Sequence, residues 1–149
     1  MKLAFYKAFQ NNATALDIAI AIASGGKYSH VELVFSNEES FSISPRDKVG
    51  RFKDIVFHPD RWDFIELNIE AGVELVIREE ANKLLGLSYD YIGALTSVLP
   101  ICIQENDKIF CSEAVANILR YSVKYSYLRD GCKYSPVNLH KEILQITML

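Results

Sequence analysis

"YSHVELVFSNEESFSIS", residues 28–44, sets the fold of this chain. Side chains alternate between the two faces of a β-strand, so positions two apart share a face. Val31, Leu33 and Phe35 alternate with His30, Glu32 and Val34, and after Ser36 to Glu39 the stretch "SFSIS" returns in the same rhythm. The two runs predict an antiparallel hairpin. One register gathers Val31, Leu33, Phe35, Phe41 and Ile43 on a single face, and a slip of one residue would turn that whole set over. The same register gathers His30, Glu32, Val34, Ser40, Ser42 and Ser44 on the other face.

Outward from the hairpin, "KLAFYKAF" (2–9) predicts an opening strand and "WDFIELNI" (62–69) a further one. The Ala-rich segment 11–26 starts with Asn and Thr and stops at Gly-Gly, which is helix punctuation. Segment 71–86 carries apolar residues near helical spacing and ends at Gly86. Residues 88–99 predict a loop entering a helix that Pro100 ends. A helix from Cys111 to Leu119 follows, then a turn at Asp130-Gly131. A last helix has Ser135 as N-cap and Pro136 in its first position. The long polar segment 44–60 reads as a loop able to cover a site. The expected architecture is a single α+β domain over 1–149, with an antiparallel sheet packed against helices.

A chain of 149 residues, half of them hydrophobic, can bury a real core. The net charge of −3 and the lack of a basic cluster argue against nucleic acid as a partner. No cationic segment followed by a long apolar run opens the chain, so no signal peptide is expected. The longest small-apolar run, "IAIAIA" (18–23), is too short to cross a bilayer. The expectation is a protein that is cytoplasmic as synthesised, with no stable membrane insertion. Three cysteines, an odd number with no CxxC, suggest free thiols in a reducing compartment. No His or Cys pair has a zinc spacing, so neither a metal nor another cofactor is expected.

"KIFCSEAVANIL" (108–119) places Cys111 at a helix start. Free N–H groups there favour a thiolate, a nearby imidazole favours it further, and a backbone N–H can face an oxyanion. The competing reading is a small buried hydrophobe, and "FCSEAV" alone favours that one. His30 shares a strand face with Glu32, and a carboxylate beside an imidazole can orient the ring and stabilise its cation. His58 falls in a turn, and His140 is placed on the surface of the last helix. Cys102 and Cys132 read as packing or surface thiols. Tyr28, Tyr89 and Tyr91 are the candidate substrate contacts, since polar aromatics suit cleft walls. "SYDYIG" (88–93) also reads as a plain structured turn.

"YSHVELVF" early and "IFCSEAVANIL" late, with "YDYIG" and "SPVNL" on either side of the latter, resemble the circularly permuted branch of the NlpC-like, papain-like cysteine hydrolases, YiiX-like proteins among them. In that branch the histidine precedes the cysteine, as it does here. The resemblance implies a circularly permuted papain-like fold. It implies Cys111 as nucleophile, His30 as base, and a third polar residue on the strand after the histidine strand. The matching place lies near Ser42, a poor orienter of an imidazolium, and Glu32 is the better acid available. The implied activity is that of a thiol protease or amidase acting on peptide, amide or acyl substrates, cell-wall peptides among them. The same Cys-His pair would also serve an acyltransferase or a lipid-ester hydrolase. A non-catalytic binding or structural module keeping that fold is the remaining alternative.

Overall fold

Alternation along residues 28–44 produces the expected hairpin. Strand β2 (Tyr28–Val34) pairs with β3 (Glu39–Ile43), with Leu33 opposite Phe41 and Val34 opposite Ser40. The register is the anticipated one. The computed structural model describes residues 1–99, 103 and 107–148.

Strand β1 (Lys2–Lys7) lies along the other edge of β2, pairing Leu3 with Leu33 and Phe5 with Val31. The apolar face of the hairpin therefore continues onto β1. Strand β4 (Gly50–Asp54) extends the sheet beyond β3, and β5 (Trp62–Glu66) extends it beyond β1. The result is a five-stranded sheet of order β4-β3-β2-β1-β5, antiparallel throughout. Two short strands, β6 (Ser88–Tyr89) and β7 (Lys108–Ile109), form a separate parallel pair that sequence patterning did not suggest.

Among the described residues, five α-helices complete the domain. Helix α1 (Ala15–Ala23) begins with a reciprocal cap: Asp17 N–H donates to Thr14 Oγ1 at 3.2 Å, and Thr14 N–H donates to Asp17 Oδ2 at 2.8 Å. Helix α2 (Ala71–Lys83) runs out shortly before Gly86, whose φ of 79° is the left-handed conformation glycine takes most easily. Helix α3 (Tyr91–Thr96) is capped by Asp90, which accepts from Gly93 N–H at 2.7 Å. Helices α4 (Cys111–Leu119) and α5 (Pro136–Met148) pack against β2. Every α4 residue except Asn117 is buried. Ser135 caps α5, accepting from Asn138 N–H at 3.2 Å.

Leu3, Phe5, Val31, Leu33, Phe41 and Ile43 from the sheet join Val115, Ile118 and Leu119 of α4 and Leu139 and Ile143 of α5 in one apolar cluster. Burial of that cluster is the main stabilising term, at about 25 cal/mol per Å² of apolar surface.

Several expectations are corrected here. The sheet is open, with β4 and β5 as separate edges. The circularly permuted papain-like, NlpC-like arrangement is replaced by this open antiparallel sheet with its small parallel pair. Segment 44–60 is not a plain loop, because β4 lies within it and Arg51 and Phe52 pair with Ser42 and Phe41. Residues 131–133 form a single 3-10 turn rather than a simple reversal. His140 is not a surface residue: it is half-buried, with its ring 4.5 Å from that of Tyr28 and 4.8 Å from that of Phe5. Cys132 is disulfide-bonded, which overturns the reading of free thiols throughout, and Cys111 is a free cysteine. The expectations for Pro100 and Cys102 lie outside the described residues. Among the described residues, no helix is long and apolar enough to cross a membrane.

Candidate functional site

The polar face of the sheet carries the site. Tyr6 of β1 stands opposite His30 of β2, and Ser42 of β3 stands opposite Arg51 of β4. Opposed residues of antiparallel strands point to the same side. Alternation thus delivers a phenol, an imidazole, a carboxylate and a guanidinium to neighbouring strands.

The central group is Glu32, almost fully buried at 1 % exposure. Its Oε1 accepts from His30 Nε2 at 2.8 Å and from Arg51 Nη2 at 2.6 Å, and its Oε2 accepts from Arg51 Nη1 at 2.8 Å. Burial alone would push this carboxyl up. The hydrogen bonds from Arg51 and His30 outweigh burial and hold it below the ordinary carboxylate range. A carboxylate only accepts, so His30 Nε2 carries the proton. Burial also opposes a charge on His30. The adjoining Cys111 sulfur and the Glu32 carboxylate overcome that and push the imidazole up to about 10. Burial opposes the Arg51 charge too, and Glu32 and Asp47 hold its proton more firmly than usual.

Arg51 continues the array outward. Its Nε donates to Asp47 Oδ2 at 2.8 Å, and Lys53 Nζ reaches Asp47 Oδ1 at 3.1 Å. Ser44 Oγ also donates to Asp47, at 2.8 Å. Burial would raise the Asp47 carboxyl, but these donors hold it at about 2.

His30 and Glu32 form part of the wall of a cavity of about 320 Å³, completed mainly by Tyr6, Asp17, Trp62 and the segment 44–56. Trp62 packs edge-on against Tyr6, with 5.1 Å between ring centres. Ile55 and Val56 add apolar wall. Two donors here are weakly engaged. Tyr6 is 4 % exposed, and its hydroxyl makes no hydrogen bond of ordinary geometry. Arg46 lies over the Tyr6 ring at 5.2 Å, is half exposed, and meets Asp17 at 3.4 Å, a long contact. Asp17 is otherwise occupied by Thr14 and by Ser29 Oγ, at 2.9 Å.

The structure brings His30, Glu32 and Cys111 together and leaves the three tyrosine candidates off the cavity wall. Tyr28 donates to Asp63 at 2.7 Å, and burial with that carboxylate pushes its hydroxyl up to about 12. Tyr89 is buried, and burial, with Cys111 next, raises its hydroxyl well above the ordinary value. Tyr91 sits at the rim, its hydroxyl 3.4 Å from the Pro45 carbonyl. Ser42, the other candidate for the third polar residue, donates to the Val31 carbonyl at 2.7 Å. Tyr6, Arg46, Arg51 and Trp62 were missed in the sequence reading. For Arg51 a signal existed: "RFK" (51–53) alternates as an edge strand does.

No family model matches the chain, and no curated protein matches it. Among solved structures it is similar to the crystal structure of metalloprotein YiiX from Escherichia coli O157:H7, DUF1105. The identity is 17 %, the TM-score is 0.48, and the match covers 82 % of this chain and 64 % of that one. The chain thus spans less than two thirds of that structure. The expected identity as a circularly permuted NlpC-like cysteine hydrolase is corrected: no family model of that kind matches the chain. The reading as a thiol protease, peptidase or amidase is set aside, together with its acyltransferase, lipid-esterase and fold-retaining alternatives. The site gives a physical reason as well. Cys111 is 1 % exposed and does not line the cavity, so its sulfur offers almost no surface to a substrate. Metal does not fit this constellation either. Both Glu32 oxygens are engaged by cationic partners, and among the described residues no group of three or more His, Cys, Asp or Glu is placed to hold an ion.

Proposed function

We propose that this protein binds a small molecule bearing a carboxylate on an apolar body, in the cavity beside His30. The carrying observation is the Tyr6 hydroxyl, buried in the cavity wall without a good hydrogen-bond partner and next to the loosely held Arg46. A buried donor left without a partner is costly, and a ligand oxygen would relieve that cost. Arg46 would give up a long contact with Asp17 and part of its seat over Tyr6 to meet an anion, whereas Arg51 would have to break a bidentate pair. The imidazolium of His30 adds positive potential to the same wall. Trp62, Ile55 and Val56 would cover the apolar part of the ligand.

In this reading His30 and Glu32 belong to the binding site as its charge-setting floor, with Cys111 buried behind them. A peptide C-terminus or a free acyl acid satisfies the same chemistry. Trp62 is the single tryptophan of the chain and lines the cavity, so its fluorescence reports occupancy. The test is a titration with small carboxylic acids of increasing apolar size and with their amides. Acids should change Trp62 emission at lower concentration than their amides, and Tyr6→Phe should weaken acid binding about 10-fold. Acids that leave Trp62 unaffected, or that bind wild type and Tyr6→Phe equally, would overturn the proposal.

A further inference from the structure

His30 is held from behind by Glu32 at 2.8 Å, and the group that holds it is itself held. Glu32 lies on the same strand, two residues on, and opposes Ala4 across β1, so the backbone of β1 contributes no charge to it. The compensating charge comes from β4. Arg51 is largely buried and grips both Glu32 oxygens in a planar fork. Its remaining Nε is fixed by Asp47, which Ser44 and Lys53 hold in turn. The array alternates in sign from His30 through Glu32, Arg51 and Asp47 to Lys53.

We infer that Arg51 is a positioning residue: it keeps Glu32 a carboxylate and, through it, fixes the protonated face of His30 at the cavity wall. A carboxyl this deep in the protein has a strong tendency to take up a proton, because low-dielectric surroundings disfavour its charge. Two charge-assisted hydrogen bonds from one rigid guanidinium oppose that tendency, and the fork geometry fixes the carboxylate plane. With that plane fixed, Oε1 presents one lone pair to His30 Nε2, which sets the ring orientation. Arg51 lies on the same segment as Arg46 and the apolar residues Ile55 and Val56, so one short stretch carries both the support and part of the cavity wall. The inference deepens the binding proposal above, but its test involves no ligand.

The experiment is a ¹³C carboxyl and ¹⁵N imidazole titration of wild type, Arg51→Met and Arg51→Lys. In wild type Glu32 should stay a carboxylate to below the ordinary glutamate range. In Arg51→Met it should take up a proton at distinctly higher pH, with proton affinity raised tenfold or more and the His30 Nε2 resonance moved. Arg51→Lys keeps the charge but loses the fork, so its Glu32 should titrate between the two. If Arg51→Met does not fold, Arg51→Lys against wild type carries the test. Identical Glu32 titration in wild type and in whichever variants fold overturns the inference. A shifted titration upholds it even if no carboxylic acid binds, so failure here and failure of the binding proposal are distinguishable.

Discussion

Tyr6 and His30 are direct partners in the β1–β2 ladder, so their side chains leave the sheet on the same side and next to each other. The two meet the cavity differently. His30 is tied to Glu32 at 2.8 Å, whereas the Tyr6 hydroxyl has no such partner. Support and recognition are therefore divided between neighbouring strands.

The buried hydroxyl leads to the first prediction. Tyr6→Phe removes a polar atom that makes no good bond, so it should leave stability unchanged or raise it by up to about 1 kcal/mol. Urea unfolding of the two proteins checks this. A loss of more than about 1 kcal/mol would mean that the hydroxyl has an internal role.

Glu32→Gln should behave in the opposite way. It leaves Arg51 and His30 facing one another with no anion between them. Breaking one member out of a buried ion pair costs on the order of 3–5 kcal/mol. Chemical denaturation should show a loss of that size, while the exposed pair Lys2–Glu38, broken by Glu38→Gln, should cost about 1 kcal/mol or less. Equal effects would contradict the array as drawn.

The pH dependence of stability has two arms. His30 is raised to about 10 from an ordinary value near 6.5, so the folded chain holds a proton that the unfolded chain releases. Its contribution is fully present below about pH 6.5 and fades as pH rises towards 10. Asp47 is depressed from 3.8 to about 2, so its contribution is present above about pH 4 and is lost as pH falls towards 2. Unfolding free energies from pH 2 to 10 should fall on both sides of a plateau near pH 5–6. His30→Gln should flatten the alkaline arm relative to wild type.

Gly50 opens β4 at a tight approach to the end of α2. A Cβ built there would lie 2.3 Å from the Leu84 carbonyl oxygen, a backbone atom that cannot turn aside. Gly50→Ala should cost about 1–3 kcal/mol as an overpacking substitution. It should also increase amide exchange along residues 50–54. Wild-type stability and exchange in this variant would show that the strand end tolerates displacement.

Much of the fold was legible because its signals are local. The alternation of Val31, Leu33 and Phe35 determined the hairpin register, and the Thr14 and Ser135 caps marked two helix starts. The proximity of Glu32 to His30 followed from their spacing of two on one strand. What escaped the sequence reading was non-local. Arg51 and Tyr6 reach the site only because β4 and β1 flank the hairpin, and strand order is not written in alternation. Segment 44–60 read as a loop because β4 is a short edge strand with charged residues at 51 and 53, the composition that edges use to discourage further pairing. The family resemblance rested on short motifs around His30 and Cys111, and motifs of that length state neither the sheet topology nor the exposure of the sulfur.

The charge of His30 at the cavity wall underlies both the array and the binding site, and an NMR titration of its imidazole in the ligand-free protein measures it directly. The prediction is a ring that stays protonated through neutral pH and releases its proton only near pH 10, with a hydrogen-bonded Nε2–H throughout. A ring that titrates near 6.5, like an ordinary histidine, would contradict the buried array of Cys111, His30, Glu32 and Arg51 and the binding site built on it.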